Sequence, residues 1–153
     1  MELNTTMMMY TDQSRGRSFA KDPAVMELGD RFFLYYSIPP FGDGREDDGW
    51  RIGIATSQDL DHWEKVSEVS PLSAYERQSP GGICAPGAMA LEGEVHLFYQ
   101  TYGNGREDAI CHATSYDGIH FTPNLANPIF APTGTWTCGR AIDADVIDHK
   151  GSL

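Results

Sequence analysis

The chain is short of basic residues, of cysteine and of long apolar runs, and each shortage argues against a class of function. Lysine and arginine number 11 against 22 aspartates and glutamates, a formal net charge of -11. Phosphate backbones and anionic bilayers repel such a surface, so neither nucleic acid nor a membrane is expected as a partner. The cysteines are three, Cys84, Cys111 and Cys138, an odd number without a CxxC pair. That argues against a disulfide framework and offers no ligand spacing for structural zinc. His62, His96, His112, His120 and His149 form no HExxH or other cluster, so no metal and no cofactor are expected. No apolar run reaches the roughly 18 residues of a membrane helix. The opening MELNTTMMMYTDQSRG lacks the basic and continuous apolar regions of a secretion signal. The chain therefore reads as cytoplasmic as it stands, or as periplasmic or secreted if a leader was trimmed.

Helical periodicity is missing as well, and what stands in its place is alternation. Aromatic or alternating runs of about four to eight residues recur between glycines and prolines, which predicts an all-β fold. These runs repeat. DPAVMELGDRFFLYYS (22–37) aligns with APGAMALEGEVHLFYQ (85–100), with Pro23 on Pro86, Met26 on Met89, Leu34 on Leu97 and Tyr36 on Tyr99, each 63 residues apart. GRED recurs at 44–47 and 105–108, and Ala55-Thr56-Ser57 recurs as Ala113-Thr114-Ser115, with Trp63 matched by Phe121. Each copy reads as four strands, at 23–28, 31–37, 50–56 and 62–66, then 86–91, 94–101, 109–114 and 119–122.

Four antiparallel strands repeated about every 60 residues are the signature of a β-propeller blade. The expected organisation is a lead-in at 1–18, blade 1 at 19–70, blade 2 at 82–125 and the start of blade 3 at 139–153. The ending GRAIDADVIDHKGSL supplies that third inner strand, because Asp143 falls on Asp22 and Val146 on Val25, both 121 residues apart. Two blades and one strand would leave open sheet faces, which favour self-association. The expectation is the N-terminal part of a larger propeller, with assembly of several copies into a ring as the rival.

Asp22 and Asp143 share one repeat position at the head of an inner strand, so both are expected to point toward one axial pocket. Carboxylates gathered in a pocket push each other's acidity apart, which suits acid and base work. The plainer reading is that both cap turns at strand starts. Arg17, Arg140, Trp136, Tyr102 and Phe41 lie in loops or just before inner strands, where guanidinium groups clamp hydroxyls and aromatics stack on sugars. Packing between blades is the alternative for each aromatic, and an ion pair with Asp143 is the alternative for Arg140. Asp145 shares a face with Asp143, and either joins the pocket or accepts backbone hydrogen bonds. The GRED acids suggest calcium less than solvated turns. Cys84 and Cys138 lack the paired histidine that thiol catalysis needs.

Lys21-Asp22-Pro23-Ala24-Val25 with Gly29-Asp30-Arg31-Phe32-Phe33-Leu34-Tyr35-Tyr36 resembles the first blade of glycoside hydrolase family 43 and its five-bladed relatives. Ile54-Ala55-Thr56-Ser57 with Asp59-Leu60-Asp61-His62-Trp63, then Ala85-Pro86, then Ala141-Ile142-Asp143-Ala144-Asp145-Val146 resemble that group's further elements in order. The resemblance runs from about residue 15 to the end. Cys84 and Gly87 stand where the family has Trp and an acid, and Ala144 replaces its Pro. The resemblance implies an inverting glycosidase of the arabinofuranosidase or xylosidase kind acting on a carbohydrate, with Asp22 as general base and Asp143 as the carboxylate that tunes the acid. It also implies a glutamate general acid, to which nothing in residues 1–153 corresponds, so the chain alone is expected to be inactive. Two other readings stay open: a non-catalytic carbohydrate-binding or structural propeller fragment, and an enzyme transferring sugars to phosphate.

Overall fold

Alternation in RFFLYYSI sends Phe33 and Tyr35 to one side of a strand and Leu34, Tyr36 and Ile38 to the other, and the chain buries both sides. The computed structural model describes residues 10–42, 44, 49–103 and 107–150. Within them, β1 (Lys21–Leu28), β2 (Arg31–Ile38), β3 (Arg51–Ser57) and β4 (Glu64–Val69) form one antiparallel sheet in sequence order. A second follows the same order with β5 (Ile83–Leu91), β6 (Glu94–Thr101), β7 (Ile110–Ser115) and β8 (Thr122–Pro123). The only helical pieces among the described residues are two single turns, Glu76–Gln78 and Thr135–Thr137. The fold is all-β, two four-stranded propeller blades followed by a partial third.

The main core lies between the blades. Phe33, Tyr35, Ile52 and Ile54 of the first pack on Val95, Leu97, Tyr99, Cys111 and Ala113 of the second. Burying one such side chain is worth about 1.5–3 kcal/mol, so this seam dominates the stability. The outer face of blade 1 (Leu34, Tyr36, Ile38, Ala55) is covered by Tyr10, Phe41 and Trp63. The lead-in is fastened there, because the Tyr36 hydroxyl donates to Asp12 Oδ2 at 2.8 Å and Lys65 Nζ lies 2.9 Å from the same oxygen. Blade 2 repeats the device across the linker. Tyr99, the counterpart of Tyr36, donates to the fully buried Glu76, which also accepts from Leu72 N, Ser73 Oγ and Asn127 Nδ2.

The outer turns are copies too. Asp59 Oδ1 accepts the amides of Asp61 and His62, and its Oδ2 pairs with His62 Nδ1 at 2.8 Å. Asp117 does the same for Ile119 and His120, with His120 Nδ1 at 2.7 Å. These amide donors hold both aspartates well below the usual carboxylate range. The turns also move the outer strands. Residues through His62 and His120 are spent on the turn, so β4 starts at Glu64 rather than 62, and β8 is reduced to Thr122–Pro123 rather than 119–122.

Residues 141–148 carry no ladder, since among the described residues no strand lies beside them in a sheet of their own. They are seated on blade 2 instead. Ala141, Ala144 and Val146 pack on Phe98 and Ile110, while Ile142, Asp143, Asp145 and Ile147 face outward.

Candidate active site

Each inner strand breaks its ladder at the same place. Between Lys21 and Ala24, three residues of β1 advance while β2 advances two, from Ser37 to Tyr35. The same slip occurs between Cys84 and Gly87 against Gln100 and Phe98. An extra residue of this kind is a β-bulge, which twists a strand and re-aims a side chain. The bulged residues are Asp22 and Ala85, at φ 53° and 51°, and the third inner segment has Asp143 at 54°. A left-handed conformation in a non-glycine residue costs about 1–3 kcal/mol and gathers at functional sites. The DP and AP dipeptides follow from this, since proline lacks the N–H that a bulge leaves without a ladder partner.

The bulges are tied from blade to blade. Ser37 Oγ accepts the Ala85 N–H at 2.8 Å and donates to Asp22 Oδ2 at 2.9 Å. Gln100, at the position equivalent to Ser37, accepts the Asp143 N–H through Oε1 at 2.8 Å. Lys21 Nζ stands 3.3 Å from the other Asp22 oxygen. Cys84 lies within the field of both aspartates. Burial first, then the charge of Asp22 and more weakly that of Asp143, push its thiol up to about 12, against an opposing pull from Lys21. A thiol held protonated is no nucleophile, so Cys84 serves as a neutral spacer beside the carboxylates.

A line of rings runs beside this group. Phe41 meets Phe19 at 6.1 Å between centroids, Phe19 meets Trp50 at 6.4 Å, and Trp50 meets Tyr102 at 5.7 Å. Cations sit over the line: Arg17 on Phe41 at 5.6 Å, Lys21 on Trp50 at 5.6 Å and Arg140 on Tyr102 at 5.8 Å. The Gly81-Gly82 pair lets the backbones close up here. Gly82, at φ 80°, pairs with Trp50 in a parallel bridge, and a Cβ on it would run into the Trp50 carbonyl. Tyr102 is held on the other side, donating its N–H to Gly82 O at 2.9 Å.

Arg17, Phe41, Tyr102 and Arg140 are thus joined in one line, through Phe19, Trp50 and Lys21. Sequence reasoning does not single out Phe19 or Trp50, nor Ser37 and Gln100. The last two had a signal, the same repeat position 63 residues apart. Arg140 does not pair with Asp143. Its Nε donates to Asp108 Oδ2 at 2.8 Å, because the Ala141 amide is bonded to the Asp108 carbonyl and brings the two side chains together. Trp136 stands apart, 77% exposed on its single helical turn. Asp145, like Asp143, is exposed to solvent. Of the two GRED copies, Asp108 is buried in that ion pair, and Arg45, Glu46, Asp47, Gly105 and Arg106 lie outside the described residues. Cys111 faces the core and His112 the opposite side of β7. Among the described residues no group of three or more potential ligands assembles for a metal.

Residues 14–140 match the model of the glycosyl hydrolases family 32 N-terminal domain. The chain belongs to that family. Its five-bladed propeller fold is shared with family 43, the group expected from the sequence. The chain is 32% identical over 109 residues to sucrose-6-phosphate hydrolase of Escherichia coli, covering 65% of this chain and 22% of that protein. It is 32% identical over 95 residues to the enzyme of that name from Zymomonas mobilis subsp. mobilis, covering 59% and 18%. The chain therefore spans about a fifth of the length of these relatives. Among solved structures, a family 117 glycoside hydrolase of Zobellia galactanivorans superposes with a TM-score of 0.68 at 17% identity, over 94% of this chain and 49% of that one. A family 43 protein of Bacillus licheniformis gives 0.59 at 19%, over 85% and 25%. These two share the fold.

Proposed function

We propose that these blades supply two carboxylates of a glycoside hydrolase site, with Asp22 acting at the sugar carbon and Asp143 tuning and orienting the site. The observation that carries this is the left-handed residue repeated on three inner segments, in a bulge on the first two, with an acid at Asp22 and Asp143 and none at Ala85. If that conformation served packing alone, it would not need a carboxylate on two of the three segments. The ring line from Phe41 to Tyr102 is the stacking surface for the sugar. The relatives' names make sucrose 6-phosphate, and sucrose beside it, the first substrates to try.

The proton donor comes from polypeptide outside these blades. The role of Asp22 follows from its distance to that donor. About 6.5–9.5 Å leaves room for a water and makes Asp22 a general base with inversion, as the sequence reading expects; about 5–5.5 Å makes it a nucleophile with retention. Proton NMR of the first anomer released separates the two. Hydrolysis by the enzyme containing these blades should fall by about 10²–10⁴-fold in Asp22→Asn with the fold intact. Undiminished turnover in that variant would remove Asp22 from the chemistry. Efficient hydrolysis by residues 1–153 alone would remove the external donor.

A further inference from the structure

We propose that Ser37 is a positioning residue, whose hydroxyl fixes the rotamer of the Asp22 carboxylate and registers it against the second inner strand. The inference rests on the reading of Asp22 as the reacting carboxylate. Ser37 is completely buried on β2. A serine hydroxyl has one proton and two lone pairs. Because its oxygen already accepts the Ala85 N–H at 2.8 Å, the proton is directed to Asp22 Oδ2 at 2.9 Å. A hydrogen bond from a hydroxyl to a carboxylate is about twice as strong as one between neutral groups.

The other restraint on Asp22 is weak. Lys21 has a side chain 59% exposed, and an exposed ion pair contributes little. Asp22 is itself on a strained residue, so the buried hydroxyl is what holds the carboxylate in one orientation. The second blade shows what the serine is for. Gln100 occupies the same position and performs the same backbone task, accepting the amide of Asp143, the left-handed residue of the next inner segment. Its own inner strand, however, carries Ala85 at the bulge, where there is no carboxylate to orient. The exchange of Ser for Gln follows the exchange of Asp for Ala. Either side chain can join blades; in the first blade the hydroxyl proton that remains is given to the acid.

The test has two arms. In the chain itself, NMR three-bond couplings report the Asp22 side-chain rotamer, and hydrogen exchange reports the Ala85 amide. Ser37→Ala should let Asp22 average among rotamers and speed Ala85 exchange by roughly tenfold, the loss of one hydrogen bond. Ser37→Thr should preserve both, and Ser37→Cys, whose larger thiol fills the site but is only a weak donor and acceptor, substitutes for Ser37→Ala if that variant does not fold. In the enzyme, Ser37→Ala should lower kcat by about 10²-fold, the scale of a small misplacement, with KM within about twofold. Ser37→Thr should restore most of it. A merely structural role would lower the melting temperature without this split or rescue. A single Asp22 rotamer persisting in Ser37→Ala overturns the positioning role whatever Asp22 does. Full activity in Asp22→Asn overturns the catalytic reading alone.

Discussion

In the first blade, the face turned toward its neighbour carries Phe33, Tyr35 and Ile54; in the second, the same repeat positions carry His96, Phe98 and His112. At the bulge the first has Asp22 and the second Ala85, and beside it the first has Ser37 and the second Gln100. Around these positions the copies agree closely. Bulge, outer turn and buried tyrosine-to-acid bond recur in both. One blade thus serves as an internal control for the other. What both keep answers the shared requirement of pleating, turning and packing, and what differs marks where a local task has been added.

The largest effect should come from moving the acid. In the active enzyme, exchanging the bulge residues (Asp22→Ala with Ala85→Asp) should leave hydrolysis as low as Asp22→Ala alone, about 10²–10⁴-fold down. The second bulge is followed by Gln100, not Ser37, and directs its residue elsewhere on the axis. Recovery to within about tenfold of the parent in a steady-state assay would mean that the two bulges are interchangeable, and would dissolve the contrast on which the site assignment stands.

Next in size are the two buried tyrosine-to-acid bonds. Asp12 and Glu76 are counterparts, each accepting a buried tyrosine hydroxyl, but they are paired differently. Asp12 accepts from Tyr36, Ser14 and the cation Lys65, whereas Glu76 accepts from four neutral donors and is the more deeply buried. Removing the acid strands those donors. Glu76→Ala should cost about 3 kcal/mol and Asp12→Ala about 2 kcal/mol in urea unfolding. Asp12 lies below its ordinary range because bonds from Ser14, Lys65 and Tyr36 together outweigh burial, the largest single influence. Its contribution is therefore present above the unfolded value and lost as pH falls through the lower folded one. An equal or larger loss for Asp12→Ala would show that the lead-in, not the linker, anchors the pair.

This contrast was partly legible in the sequence. The strands, the repeat and the equivalence of Asp22 with Asp143 come from alternation and spacing, which are local. The sequence pattern starts the outer strands too early because the turns at Asp59 and Asp117 take more residues than a bare hairpin, and that use of side-chain bonds is invisible in the hydrophobic pattern. The ring line was not legible at all. Phe19, Trp50 and Tyr102 come from three different connections, and the close passage of Gly81-Gly82 is what brings Trp50 and Tyr102 together. Arg140 shows the same limit: its nearby carboxylate in sequence is Asp143, but its partner is Asp108, 32 residues away.

The smallest expected effect concerns the histidine face. Asn124 Nδ2 lies 3.2 Å from His112 Nδ1, and His112 Nε2 lies 3.1 Å from His96 Nδ1. An amide nitrogen donates, so His112 accepts at Nδ1 and carries its proton at Nε2, which it gives to His96. A second proton on His112 would face the Asn124 amide. Burial, then the neighbouring His96, lower the His112 pKa, while Glu94 pulls the other way. With the folded value below the unfolded one, the unfolded chain binds the proton first as pH falls. Stability is full above the ordinary histidine range and declines as pH drops through the folded value. His112→Ile installs the residue that blade 1 has at this position, Ile54, and should remove this term. The drop in Tm between pH 7.5 and pH 5.5 should then shrink by a few degrees, on the order expected for a fraction of the stability of a domain this size. The turn histidines are the same in both proteins, so they cancel in the difference. A pH dependence unchanged by His112→Ile would mean that the two blade faces, for all their difference in residues, respond to protons alike.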